Sequence, residues 1–369
     1  MFIKKIKYPL LILLILSGNF CMGHIRILDK QTKEPISFAH IISNEGNLVA
    51  TSTIDGCISI DNISKFCKSN SDSLIVQHIS YSNLKIGYDD LLKSEDIYLE
   101  SRSYSIPEFE ISSRQPDYMV LRGFFRSYQL DNNIPKYYTD GIVEYFINLK
   151  GDKKLTYRII ECRSYRNEEL IGKEAKRTNT VSIAAAGIPY IESETAIDQL
   201  GKEYSIISDS DGYKIKKDAV VIGEIGVDEL KSKVQISVDL LAPKKEEVHS
   251  LFGYTSRIVN IQVSENYRAN QYLGLSKGDI TCRKEYRKLF FKHKKEKEPT
   301  QIDVIHEFFV TSKNCMGKSE VKRCKTLTSY GLPKTNYSTN YWETVSKDLV
   351  PALNENIEKL LGCELKLYR

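Results

Sequence analysis

The chain lacks most of the markers that would assign it a reaction. Its one Gly-x-Ser-x-Gly, Gly274-Leu275-Ser276-Lys277-Gly278, follows a polar stretch and not a strand directly, so the nucleophile elbow of an α/β-hydrolase is not indicated. No Cys-x-x-Cys occurs among its eight cysteines, so neither a zinc ribbon nor a thioredoxin-like dithiol is indicated. Gly317-Lys318-Ser319 has the tail of a phosphate-binding loop, but the glycine needed five residues earlier is Ser312. His306-Glu307 opens a zincin-like pair, yet the position four after His306 is Val310. On a strand, His306 shares a face with Phe308 and Val310, where a lone histidine is a packed structural residue. Beyond residue 23 no apolar run approaches the ~20 residues of a spanning helix.

What is present begins at the N-terminus. Lys4, Lys5 and Lys7 precede an unbroken apolar run from Leu10 to Leu16. Small residues follow, and Cys21-Met22-Gly23 fits a small-x-small cleavage site, so 1–23 reads as a secretory signal peptide. An uncleaved anchor is the alternative. Cys21 invites lipidation, but the bulky Phe20 stands where a lipobox has a small or aliphatic residue. Cleavage removes three lysines and no acids, taking the formal charge from +5 to +2. So near neutrality there is no electrostatic footprint for nucleic acid. The expected location is the periplasm or the outer membrane's surface. Cysteines pair in such an oxidising compartment. Cys315 and Cys324, on either side of "MGKSEVKR", are the candidate disulfide, with Cys57 and Cys67 the other local pair. Free thiols are the alternative at both.

Residues 24–111 break into short strands with turn residues between them, the pattern of a β-sandwich. Several stretches match in order: Ile25-x-Ile27-x-Asp29, Thr32-x-x-Pro35-Ile36-x-x-Ala39-x-Ile41, Thr53-x-Asp55-Gly56-x-Ile58-x-Ile60, and Leu74-x-Val76 through Ser80-Tyr81. Together they resemble the carboxypeptidase regulatory-like domain over about a quarter of the chain. The resemblance implies a transthyretin-like sandwich of Gram-negative envelope proteins, one that contributes no zinc ligand and no nucleophile. Ser80 replaces the family's usual glycine before Tyr81, and the family's leading glycine falls at Gly23. Asp55-Gly56, between two alternating runs, is expected to be a hairpin turn. Asp140-Gly141 is expected to be another. Asp209-x-Asp211-Gly212 resembles a calcium loop only faintly, since its middle ligands are missing.

Residues 112–117 read as a linker and 118–369 as a second, β-rich α+β domain, giving a mainly β chain. "YMVLRGFFRSYQL", "YYTDGIVEYFINL" and "KLTYRIIECRSYR" are rich in Tyr, Phe, Ile and Val and spaced for an antiparallel meander. Further strands are expected through 204–268 and at 302–313. Ala196, Ile197, Leu200 and Tyr204 sit at helical spacing, and a closing helix is expected over 342–361 with Leu349, Leu353, Ile357 and Leu360 as its buried stripe. A long curved sheet around helices suits this order, and a solid antiparallel sheet suits it too.

The richest candidate surface is 283–298, expected as a basic amphipathic helix. Tyr286, Leu289, Phe290 and His293 would form its apolar stripe. Lys284, Arg287, Lys288, Lys292, Lys294 and Lys295 would face a membrane or a partner. The alternative is a surface helix with a solvated charged back. Glu144, Glu161, Asp239, Glu265 and Glu307 fall in or beside strands, where a carboxylate pair would have to form. Nothing points to a metal or a cofactor. These observations favour a non-catalytic exported envelope protein that binds or scaffolds an envelope protein or outer-membrane component. A periplasmic carrier of a lipid or lipopeptide, with its apolar ligand in a half-barrel, is the alternative. A hydrolase with an unrecognised site is the second alternative.

Overall fold

The computed structural model describes residues 24–65, 67, 73–102, 116–150, 155–178, 183–200, 203–209, 212–242, 244, 246–251, 253–324, 326–328, 331–345, 348–353 and 355–369. Residues 1–23, expected as a signal peptide, residues 112–115 of the expected linker, and Asp211 of the faint calcium-loop pattern lie outside them.

Short β-branched runs form β1 (His24–Asp29), β2 (His40–Ser43), β3 (Leu48–Thr51), β4 (Cys57–Ser59), α1 (Ile60–Ser64), β5 (Ser73–Gln77), β6 (Leu84–Gly87), α2 (Tyr88–Lys93) and β7 (Asp96–Leu99). They make two sheets, β4-β1-β7 and β3-β2-β5-β6. Ile25, Ile27, Ile41, Leu74, Val76 and Ile97 fill the space between them. Asp55-Gly56 is a bend, with Gly56 at φ +71°. The expected hairpin is corrected, however: β3 and β4 belong to different sheets, so the bend carries the chain across the sandwich. A β-carbon on Gly56 would meet the Ile27 carbonyl at 2.6 Å.

The rest of the chain builds one large sheet. Its elements are β8 (Tyr118–Asp131), β9 (Ile134–Asn148), β10 (Thr156–Arg166), α3 (Glu168–Thr178), β11 (Tyr204–Asp209), β12 (Gly212–Lys217), β13 (Val220–Asp228), β14 (Lys233–Asp239), β15 (Glu247–Leu251), β16 (Tyr254–Arg268), β17 (Ile280–His293), β18 (Thr300–Met316), α4 (Lys318–Arg323), α5 (Tyr341–Thr344), α6 (Glu355–Leu360) and β19 (Lys366–Leu367). The order is β11-β12-β13-β14-β16-β17-β18-β8-β9-β10-β19, with β15 added on β16. Strand outweighs helix by 52% to 13%, so the fold is mainly β.

Several expected elements are corrected. Residues 283–298 are not a helix: they complete β17 and turn into β18, with Arg283 opposite Glu265 and Phe308. Asp140-Gly141 is not a turn but lies inside β9, where a β-carbon on Gly141 would meet the Glu161 carbonyl at 2.3 Å and Phe125 at 2.7 Å. The helix expected around 196–204 is irregular chain with one 3-10 turn, Asp198–Leu200. The closing helix is two short ones, α5 and α6, with Pro351 between them. The charged run after β10 is helical instead, and Asn167 caps it by accepting from Leu170 N at 3.0 Å. The expected disulfides are not formed: Cys315 is not bonded to Cys324, with α4 and not a hairpin separating them, and Cys57 is not bonded to Cys67.

Both faces of the large sheet are covered. On one, Leu121, Phe125, Tyr145, Ile236, Val263 and Phe308 pack with Ile188, Ile191 and Leu200 of the segment 183–200. On the other, Tyr128, Leu130, Tyr138, Tyr286 and Ile305 pack with Ile42 and Leu48 of the sandwich and Ile357 of α6. Ser80 Oγ donates to Asn266 Oδ1 at 3.0 Å across that second contact. Burying each large apolar side chain contributes about 1.5–3 kcal/mol, so these two layers hold the sheet against its neighbours.

Candidate functional site

The face under 183–200 is where an apolar ligand would have to sit, and the chain occupies it with its own backbone. Gln129 accepts from Ala185 N at 2.8 Å and donates to the Ile183 carbonyl at 3.0 Å. Tyr145 OH donates to the Pro189 carbonyl at 2.6 Å. Glu265 accepts from Ala196 N at 3.1 Å. Three strands thus fix the covering segment at three points.

Beneath that segment lies a buried ionic network. Glu265 takes Lys277 Nζ at 2.6 Å and Arg283 Nε at 3.1 Å, and accepts from Tyr267 OH. Arg283 and Arg287 both reach Glu285 at 2.8 Å. Burial pushes Glu285 upward, but Arg283 and Arg287 outweigh it and hold it down at about 2. Burial also lowers Lys277. His306 Nδ1 lies 2.7 Å from Ser127 Oγ, and burial lowers the ring to about 4. These groups neutralise one another. A carboxylate held this low is a fixed ion, far from the near-neutral value that suits proton transfer.

The other face carries a second network toward the sandwich. Arg126 reaches Glu307 at 2.5 Å and the Pro351 carbonyl at 3.1 Å. Lys284 Nζ is 4.0 Å from Glu307 and has no hydrogen-bond partner among the described residues. His40 stacks edge-on against Tyr286 at 5.2 Å.

The structure scatters the predicted basic surface. Strand alternation sends Lys284 toward the sandwich and Arg287 to the opposite face. Lys288 and Lys292 are half-buried, and Lys292 donates to the Lys297 carbonyl at 2.7 Å. Only Lys294 and Lys295 of the six are exposed, in the turn after β17. The five carboxylates do not converge either. Glu144 pairs with Arg122 and Arg158, Glu161 clamps Ser338 and Thr339, and Asp239 accepts from Leu241 N. Among the described residues no group of three His, Cys, Asp or Glu is placed to hold a metal ion. Burial pushes the Cys162 thiol up to about 11 and Cys282 up to about 12, which makes both inert.

Sequence reasoning missed a cleft of about 480 Å³ between the sandwich and the β12–β14 end of the large sheet. Asp29, Pro35 and Tyr81 line one wall, and Tyr213, Leu230 and Lys233 the other. Leu230 is 99% exposed. Burial lowers Lys233, which makes no ion pair among the described residues. No spacing signal links residues 29 and 233, so only the fold brings them together.

No family model matches the sequence, and no curated protein matches it. Among solved structures, one of lipid–protein interactions in lipovitellin is similar at 8% identity and a TM-score of 0.27. The match covers 63% of this chain and 29% of that one.

Proposed function

We propose that this chain is an exported, non-catalytic protein of the cell envelope that binds or scaffolds a partner. Its N-terminal sandwich, in its resemblance to the carboxypeptidase regulatory-like domain, serves as the docking or spacing module. The observation that carries this reading is the covered sheet. A carrier needs an apolar face open to its ligand, and here residues 183–200 fill that face and are hydrogen-bonded to it. The charged groups beneath are paired with one another, and burial keeps the Cys162 and Cys282 thiols protonated. The cleft flanked by Tyr81, Tyr213 and the protruding Leu230 offers a partner a surface. The partner class is an envelope protein or outer-membrane component.

Native mass spectrometry of the protein recovered from its own envelope tests this. The expected spectrum shows a chain beginning at His24, free of lipid, alone or with a second polypeptide. A lipid or lipopeptide released on denaturation would instead establish the carrier.

A further inference from the structure

Every residue of β15 is exposed, Val248 at 52% and Leu251 at 68%. The strand pairs with β16 from Glu247↔Ile258 to Leu251↔Tyr254 and, among the described residues, with no other strand. Its outer edge is therefore a row of unpaired N–H and C=O groups. Proteins blunt such edges with lysine, proline or a bulge. Glu247-Val248-His249-Ser250-Leu251 contains neither residue, and its ladder to β16 has no register shift. Tyr254 to Ile258 of β16 also pair with β17 on their other side, so β15 is the outermost strand of the large sheet at this end. With Leu251 opposite Tyr254 across a two-residue connection, alternation turns the N–H and C=O of Val248 and Ser250 outward.

We propose that β15 is a contact between two copies of this chain, which join their β15 edges antiparallel about a two-fold axis through Val248. The strand is self-complementary in that register. Val248 meets its own symmetry mate, and Glu247 of each copy faces His249 of the other. These two side chains are suited to each other, since His249 Nε2 and Glu247 Oε1 already lie 2.9 Å apart within one strand. Centring the pair on His249 instead would set histidine against histidine and Glu247 against Leu251. The axis through Val248 makes an isologous, closed interface. A five-residue seam is small beside the ~800 Å² per partner of a standard interface. The association is accordingly weak, rising with local concentration.

Disulfide trapping reads such a contact without requiring high affinity. A bonded antiparallel pair sets its Cα atoms about 5.5 Å apart, within the range a disulfide spans. Val248→Cys, in a Cys363→Ser background, is expected to cross-link under mild oxidation roughly ten-fold faster than Leu230→Cys, an exposed control on the β13–β14 turn. Mass spectrometry of the peptides identifies the 248–248 bond. Adding Glu247→His or His249→Glu alone is expected to drop the rate to that of the control, because each sets like groups against each other. Adding both is expected to restore it. Equal rates for the 248 and 230 variants would overturn the proposal, as would single exchanges that leave the rate unchanged.

Discussion

Lys284 is the most informative group to perturb. It is 4% exposed, lacks a hydrogen-bond partner among the described residues, and stands 4.0 Å from Glu307. Two effects compete in Lys284→Met. Were Lys284 the counter-ion of Glu307, its loss would strand a buried carboxylate and destabilise by about 3–5 kcal/mol. Arg126 already holds Glu307, at 2.5 Å through one guanidinium nitrogen and 2.7 Å through another. The change then removes only a desolvated ammonium, and the distances favour this second effect. Burial, opposed only in part by Glu307, lowers Lys284 from 10.5 to about 8. At about 1.4 kcal/mol per pH unit that depression corresponds to about 3 kcal/mol. A gain of about 2–3 kcal/mol is expected from Lys284→Met at neutral pH. The folded protein loses this proton before the unfolded chain does, so the penalty is complete below about 8 and disappears toward 10.5. Urea unfolding of both proteins, followed through Trp342 across that pH range, measures the difference. A variant less stable than the wild type at neutral pH, or a gain that persists undiminished in alkali, would refute the reasoning.

Arg126→Met is expected to do the opposite, leaving Glu307 with Lys284 at 4.0 Å and costing about 3–5 kcal/mol in the same urea assay. Burial, with Lys284 adding to it, keeps His40 and His78 well below 6.5. Their contribution to stability is whole above that value and falls below it by up to about 1.4 kcal/mol per pH unit for each ring. His40→Gln with His78→Gln is expected to flatten the acid limb of the stability curve, and an unchanged limb would count against buried neutral rings. Replacing Glu265, Lys277 and Arg283 together with apolar residues of similar size is expected to hold or raise the urea midpoint. It should also broaden the amide NMR spectrum, whereas an equally sharp one would deny the triad a role in strand register.

That last expectation follows from how unevenly the sequence discloses the fold. β8, β9 and β10 are legible because Tyr, Phe, Ile and Val crowd them, and the sandwich because its short strands are bounded by turns. β17 misleads: Tyr286, Leu289, Phe290 and His293 recur at helical spacing, yet its residues alternate between two covered faces. A sheet buried on both sides shows no clean period of two. Here the buried polar residues fall on both sides too, with Arg283 and Glu285 under 183–200 and Lys284 toward the sandwich. The Glu265–Arg283 contact is equally silent in the sequence, since only the β16–β17 register sets the two opposite each other. A slip of one residue would turn Arg283 away from Glu265 and carry it to the face where Arg126 already neutralises Glu307. In long aromatic strands, where neighbouring registers bury nearly the same apolar area, paired ions discriminate among registers more sharply than packing does. This explains why a sheet with so little evident chemistry carries so many buried charges.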